Sequence, residues 1–180
     1  LDAELPRYDV MSRHALDIPA PRAQVWAVLR DLDIPPSPVV RGLLLLRALP
    51  AWMMGKPYGR SRRITREALE RAGVAFLEED PECEMVIGLV GKFWRPDGGL
   101  RPIRADEFRE FNEPGYAKCA WNFLLTDIPG GCRVDTQTRV LATDASSRRK
   151  FKAYWTLIAP FSGWIRGEML RALRARVVPR

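Results

Sequence analysis

The single histidine of this 180-residue chain, His14, limits its chemistry sharply. A Ser-His-Asp or Cys-His relay would have to run through it, and a multi-histidine metal site is excluded. Cys83, Cys119 and Cys132 are odd in number and form no Cys-x-x-Cys pair. That argues against a disulfide framework or a zinc site and suits a reducing compartment, with the cysteines serving as small strand residues. The Gly-Gly pairs at 98–99 and 130–131 sit in turn contexts, not in a phosphate-cradling loop. No metal, cofactor or catalytic set is implied. What remains is apolar: Trp94 at a strand end, Trp121 and Phe123 on one strand face, and Tyr154, Trp155, Ile158 and Phe161 on a C-terminal helix. Tyr154 adds a hydroxyl, and Glu84 and Arg139 are the charged handles. Apolar walls with a few polar groups are what a lipophilic small molecule needs. The bland alternative stands beside this reading, since an aromatic stripe at helical spacing also serves as plain core. Arg139, on the polar face of its strand, defaults to the surface.

The elements that must position these residues follow from periodicity. Tyr8 to Ile18 reads as a strand, stopped by Pro19-Ala-Pro21, and a short helix follows with Val25, Trp26, Leu29 and Leu32 on its core face. After the break at Asp33-Ile-Pro-Pro-Ser-Pro, residues 39–54 are apolar nearly all round, as a helix buried on several sides or touching a lipid or partner would be. Residues 64–72 read as a helix closed by Gly73. A hairpin about Asp80-Pro81 joins residues 75–79 to a central strand over 83–91, in which Glu84 is the conspicuous polar residue. Residues 106–111, 117–128 and 132–143 read as further strands joined by tight turns, an antiparallel meander. On the last of these, Val134, Thr136, Thr138 and Val140 share one face, and Arg133, Asp135, Gln137 and Arg139 the other. A long helix over 143–177 closes the chain, capped by Asp144 or Thr143, spanning about 45–50 Å and interrupted by Pro160. Phe151, Tyr154, Trp155, Ile158, Ser162, Ile165, Met169 and Leu173 form its apolar side, with Arg148, Arg149, Lys152, Arg166, Arg171 and Arg174 opposite.

The net charge of +7 is concentrated there. Residues 145–180 hold nine Lys/Arg against one acid, Glu168, and so carry +8, leaving −1 on the other 144 residues. No apolar run reaches the roughly 18–20 residues of a membrane span, and the first residues show no signal-peptide pattern, so a cytoplasmic protein is expected. The whole of 1–180 reads as one domain with an extended helical segment at 35–63.

The order strand, helices, antiparallel meander and long terminal helix resembles the helix-grip fold of the START-like (SRPBCC) superfamily, the polyketide cyclase/dehydrase and lipid-transport group. The stretch from Ile18 to Leu32, with Pro-Arg-Ala-Gln-Val-Trp at 21–26, is similar to its opening signature. Residues 84–95, 136–140, 142–144, 151–155 and 160–166 resemble a bacterial subgroup of uncharacterised members; Gln137 departs from it, standing where that group carries an acid near an arginine. The resemblance implies an α+β fold, with a curved antiparallel sheet of about six or seven strands around the kinked terminal helix and a cavity between them. It also implies binding or carriage of a lipophilic small molecule there, without catalysis. A cyclase/dehydratase working on a polyketide-like or aromatic substrate through Tyr154, Glu84 or Arg139 is the alternative. The basic helix suits transient contact with an anionic membrane surface. Protein or nucleic-acid binding through that helix is a further alternative, but most of its aromatic residues lie opposite the basic face, which argues against base stacking.

Overall fold

A computed structural model describes residues 1–31, 66–95 and 97–178. Five antiparallel strands form one sheet in the order β1-β5-β4-β3-β2, and a 33-residue helix lies across it, the α+β helix-grip arrangement. The strands are β1 (Val10–Ile18), β2 (Ala75–Asp80), β3 (Glu84–Gly91), β4 (Ala117–Ile128) and β5 (Gly131–Ala142). The helices are α1 (Arg22–Asp31), α2 (Arg66–Arg71), α3 (Ala105–Phe108) and α4 (Ala145–Val177). The extended helical segment expected at 35–63, including the apolar run at 39–54, lies outside the described residues.

Alternation sets the two sides of the sheet. On β1, Val10, Ser12, His14, Leu16 and Ile18 point inward, and Met11, Arg13, Ala15 and Asp17 stay exposed. β1 pairs with β5 so that His14 stands opposite Thr136 and Ser12 opposite Thr138. The β4–β5 hairpin turns on Gly130, whose φ of 82° belongs to the left-handed region that glycine tolerates. Gly131 meets the end of β1 so closely that a Cβ would fall 2.2 Å from the Ile18 carbonyl oxygen. The β4–β5 pairing lapses between Trp121↔Thr138 and Leu124↔Asp135, and the Asn122 Oδ1 accepts the Gln137 N–H there at 2.8 Å.

Five strands, not six or seven, are formed by the described residues. Residues 106–111, expected as a strand, instead carry the turn of helix α3. The Arg104 N–H is met by Glu107 Oε2 at 3.5 Å, and Phe108, at the end of that turn, is fully buried. This helix lies on the outer side of the sheet, the side away from α4, where Leu1, Leu5, Val86, Val90, Phe108 and Ala120 form a cluster.

The inner side holds the main core. Val25, Trp26 and Leu29 of α1 pack with Leu170, Leu173 and Val177 of α4 against Met85, Ile87, Phe123 and Val134. Each fully buried aliphatic side chain contributes about 1.5–3 kcal/mol, so this end of α4 is firmly held. The other end is held by Asp144, the N-cap anticipated from sequence. Its carboxylate accepts from the N–H of Ser146 at 2.8 Å, of Ser147 at 2.9 Å and of Gly115 at 2.6 Å, and from Ser147 Oγ at 2.6 Å. These bonds, the Ser147 hydroxyl foremost, hold the Asp144 carboxyl far below the usual carboxylate range. Arg148 adds an ion pair to Asp9, Nε to Oδ1 at 2.6 Å. The helix runs unbroken through Pro160, which leaves the Thr156 carbonyl without its helical donor.

Candidate functional site beneath the middle of the long helix

Helix α4 is buried at its ends and not between them. Its buried residues are Ser147, Phe151, Leu170, Leu173 and Val177, so none from 152 to 169 is buried. At the N-terminal end Phe151 stacks on Trp155 (centroids 5.9 Å apart, planes at 24°) and approaches Tyr154 at 6.0 Å. Trp94 joins Tyr154 and Trp155 in the cluster built on Phe93, Ala117, Val140 and Phe151. Further along the sheet, half-buried Trp121 borders the main core, and Phe123 is sealed inside it. Ile158 is half-buried on the helix.

The sequence-derived site residues therefore divide. Trp94, Tyr154 and Trp155 come together, with Trp121 on the same face of the sheet and Ile158 one turn further along α4. Phe123 serves as core. Phe161 is 42% exposed and lies with Leu157 (71%) and Trp164 (46%) on the solvent side of α4. Glu84 and Arg139 are on the outer face of the sheet. Glu84 accepts from Asn122 Nδ2 at 2.6 Å. Arg139 is buried, donates from Nη1 to the Leu5 carbonyl at 3.1 Å, pairs through Nη2 with Asp2 at 2.6 Å, and lies 5.0 Å from the centroid of the Tyr8 ring. The Gln137 carboxamide, turned with its oxygen toward Arg139, accepts from Nε at 2.8 Å, which supplies without charge the contact an acid would make. Tyr154 is thus separated by the sheet from Glu84 and Arg139, and the acid–base set of a cyclase is not assembled from these three.

Three polar residues on the inner side, Arg166, His14 and Thr136, are not among the sequence-derived site residues. Arg166, assigned from sequence to the basic side of the helix, places its guanidinium carbon 5.2 Å from the Trp121 ring centroid. It keeps part of its surface in solvent, yet desolvation pushes its pKa down, opposed only by the Cys119 sulfur. Burial pushes the Cys119 thiol up to about 12, so it is no nucleophile at neutral pH. His14 lies directly under α4: a Cβ at Gly163 would stand 3.4 Å from His14 Cε1. Burial, then the Arg166 charge, lowers its pKa, and Nε2 has no hydrogen-bond partner. Thr136, opposite His14 and 1% exposed, has an unpartnered Oγ1. Helical spacing from Ile158 through Ser162 to Arg166 was the available signal for Arg166, because each step of four keeps the same face. His14 was signalled by its even spacing from Val10 and Ile18.

A groove of about 340 Å³ also exists on the outer side, lined by Glu4, Leu77, Ala105, Asp106, Arg109 and Glu110. Two of its charged walls, Glu4 and Arg109, pair with each other. Among the described residues no cluster of His, Cys, Asp or Glu could hold a metal ion, and no helix is long and apolar enough to cross a membrane.

No protein-family model matches the chain, and no curated protein does. Among solved structures it is similar to protein CV1439 of Chromobacterium violaceum, at 14% identity over 94% of this chain and 98% of that one, TM-score 0.45. It is similar also to an AHSA1-like protein of Rhizobium etli, at 15% identity over 95% and 83%, TM-score 0.41. A third likeness is to DynU16, from the dynemicin biosynthetic locus, at 16% identity over 92% of this chain and about half (47%) of that one, TM-score 0.39.

Proposed function

We propose that the protein binds a lipophilic small molecule between the middle of α4 and the inner face of the sheet, and carries it without transforming it. The observation that supports this reading is the distribution of burial along α4: both ends are locked, while the aromatic stretch between Phe151 and Leu170 contains no buried residue. A helix whose only role was to complete a core would bury its apolar stripe along its length. The stretch presents Tyr154, Trp155 and Ile158 to the same side as Trp94 and Trp121, a lining suited to an apolar guest.

Trp155→Ala is the direct test. Uptake of the neutral fluorophore N-phenyl-1-naphthylamine should be lost, while far-UV circular dichroism and cooperative unfolding are retained. Full uptake by the folded variant would remove the binding site from beneath this helix. Exchange of such a guest with an anionic bilayer is the accompanying proposal. It is supported by the exposed Leu157, Phe161 and Trp164 on a helix that carries eight Lys/Arg against one acid, Glu168. Replacing these three with Ser should abolish flotation with vesicles of phosphatidylglycerol; undiminished flotation would exclude that face.

A further inference from the structure

We propose that the guest carries an anionic head, a carboxylate, received by Arg166 with His14 and Thr136 beneath it; this deepens the binding reading above and rests on it. Arg166 is a cation held over Trp121, and no carboxylate lies within ion-pair distance of it among the described residues. The acid of its own helix, Glu168, is paired with Arg171 instead. The groups that face it are the Cys119 thiol from β4 and the His14 imidazole from β1, and neither supplies a negative charge at neutral pH. Residues 32–65 contribute one acidic side chain, Asp33.

The surroundings favour an oxyanion over any other complement. A guanidinium lying over an aromatic ring keeps its in-plane N–H fork free, and that fork matches the two oxygens of a carboxylate. The Thr136 hydroxyl can donate, and so can the Nε2 of a neutral imidazole in one tautomer. Both atoms are buried and without a hydrogen-bond partner, on residues that pair with each other across β1 and β5. Buried polar groups are ordinarily satisfied, so two orphans on paired strands, one of them under the charge of Arg166, mark a place completed from outside. With one fixed positive charge, the site suits a monoanion better than a phosphate dianion. The apolar part of the guest then extends toward Trp155 and Tyr154, about three turns nearer the N-terminus of α4.

The test uses the whole chain at pH 8 and displacement of N-phenyl-1-naphthylamine by decanoate and by decanol, which share a chain length and differ in charge. Decanoate should displace the probe at about tenfold lower concentration than decanol. In Arg166→Met the two should fall within about twofold of each other. Arg166→Lys, which keeps the charge and loses the fork, should retain a preference of about threefold, and it carries the test if the Met variant does not fold. Decanol equal to decanoate in the wild type, or an undiminished preference in the Met variant, overturns the anionic head and leaves lipophilic binding standing. Failure of the probe to bind the wild type at all overturns the binding reading itself. Asp33→Asn should leave the preference unchanged; a tenfold gain for decanoate in that variant would make Asp33 the partner of Arg166 and overturn the assignment.

Discussion

On the outer face of the sheet, Glu84 receives Asn122 Nδ2, Arg139 reaches the Leu5 carbonyl and Asp2, Lys118 Nζ donates to the Arg109 carbonyl at 2.8 Å, and Asp135 is held by Arg13 Nε at 2.9 Å. On the inner face, Arg166 faces an aromatic ring, and His14 Nε2 and Thr136 Oγ1 have no hydrogen-bond partner. The same sheet buries charge in both places, but the outer network closes within the chain and the inner one does not. Desolvation disfavours charge on both sides, lowering the pKa of Lys118 as it does that of Arg166; only the outer cation has a protein oxygen in compensation. Closed networks fix structure, whereas open ones are poised for something to be added.

The contrast yields opposite signs for mutation. Asn122→Ala should have the largest effect, because it leaves the Gln137 N–H unpaired and removes the side-chain donor to Glu84, which keeps only the Leu1 amino group at 3.2 Å. A loss of about 3 kcal/mol in urea unfolding is expected from one half-buried N–H left unpaired and one hydrogen bond to a carboxylate removed; a loss under about 1 kcal/mol would mean the outer network is not structural. Arg139→Met should cost about 2 kcal/mol by orphaning the Leu5 and Gln137 oxygens, and its exposed partner Asp2 adds little. Arg166→Met should instead change stability by less than about 1 kcal/mol, in the stabilising direction, since an apolar side chain of similar length replaces an uncompensated charge. A loss above about 2 kcal/mol in that variant would reveal a structural partner and erase the difference between the faces.

The sequence discloses strand alternation better than it discloses which face is covered by what. The split of β5 into Val134/Thr136/Thr138/Val140 and Arg133/Asp135/Gln137/Arg139 follows from the period of two, and the structure keeps it. Arg139 nonetheless is buried, because residues 1–8, far away in sequence, lie across the polar face. No local pattern carries that information. Glu84 was legible as an anomaly on an apolar strand, but its partner Asn122 comes from β4 and could be found only through the strand register. On α4 the difficulty was one of side-chain type. Ser162 and Arg166 continue the stripe of Ile158, yet an arginine on a basic helix reads as solvated, and only Trp121 beneath it shows otherwise. At 105–111 the apolar residues Phe108 and Phe111 are three apart, a helical interval that strand-like neighbours concealed.

The smallest of the expected effects tests the inner face most directly. His14 is held below its ordinary 6.5, first by burial and then by Arg166. The titratable group facing it from α4 is Arg166; its β5 neighbour Thr136 and its inward neighbours Ser12 and Leu16 on β1 do not titrate in this range. As the pH falls through about 6.5, the unfolded chain takes up a proton on this histidine before the native protein does. The unfolded state therefore binds more protons in the window below that value, and stability falls on acidification. The contribution of a neutral His14 is fully present above the unfolded pKa and is lost below it. His14→Gln should flatten the decline in stability between pH 7.5 and 5 relative to the wild type, as read from paired urea titrations. Decanoate should do the same to the wild type without mutation, because an anion between His14 and Arg166 raises the imidazole pKa toward its unfolded value. Equal slopes for the wild type and His14→Gln without decanoate would mean that the native imidazole titrates as it does in the unfolded chain. The inner face would then be as well compensated as the outer one.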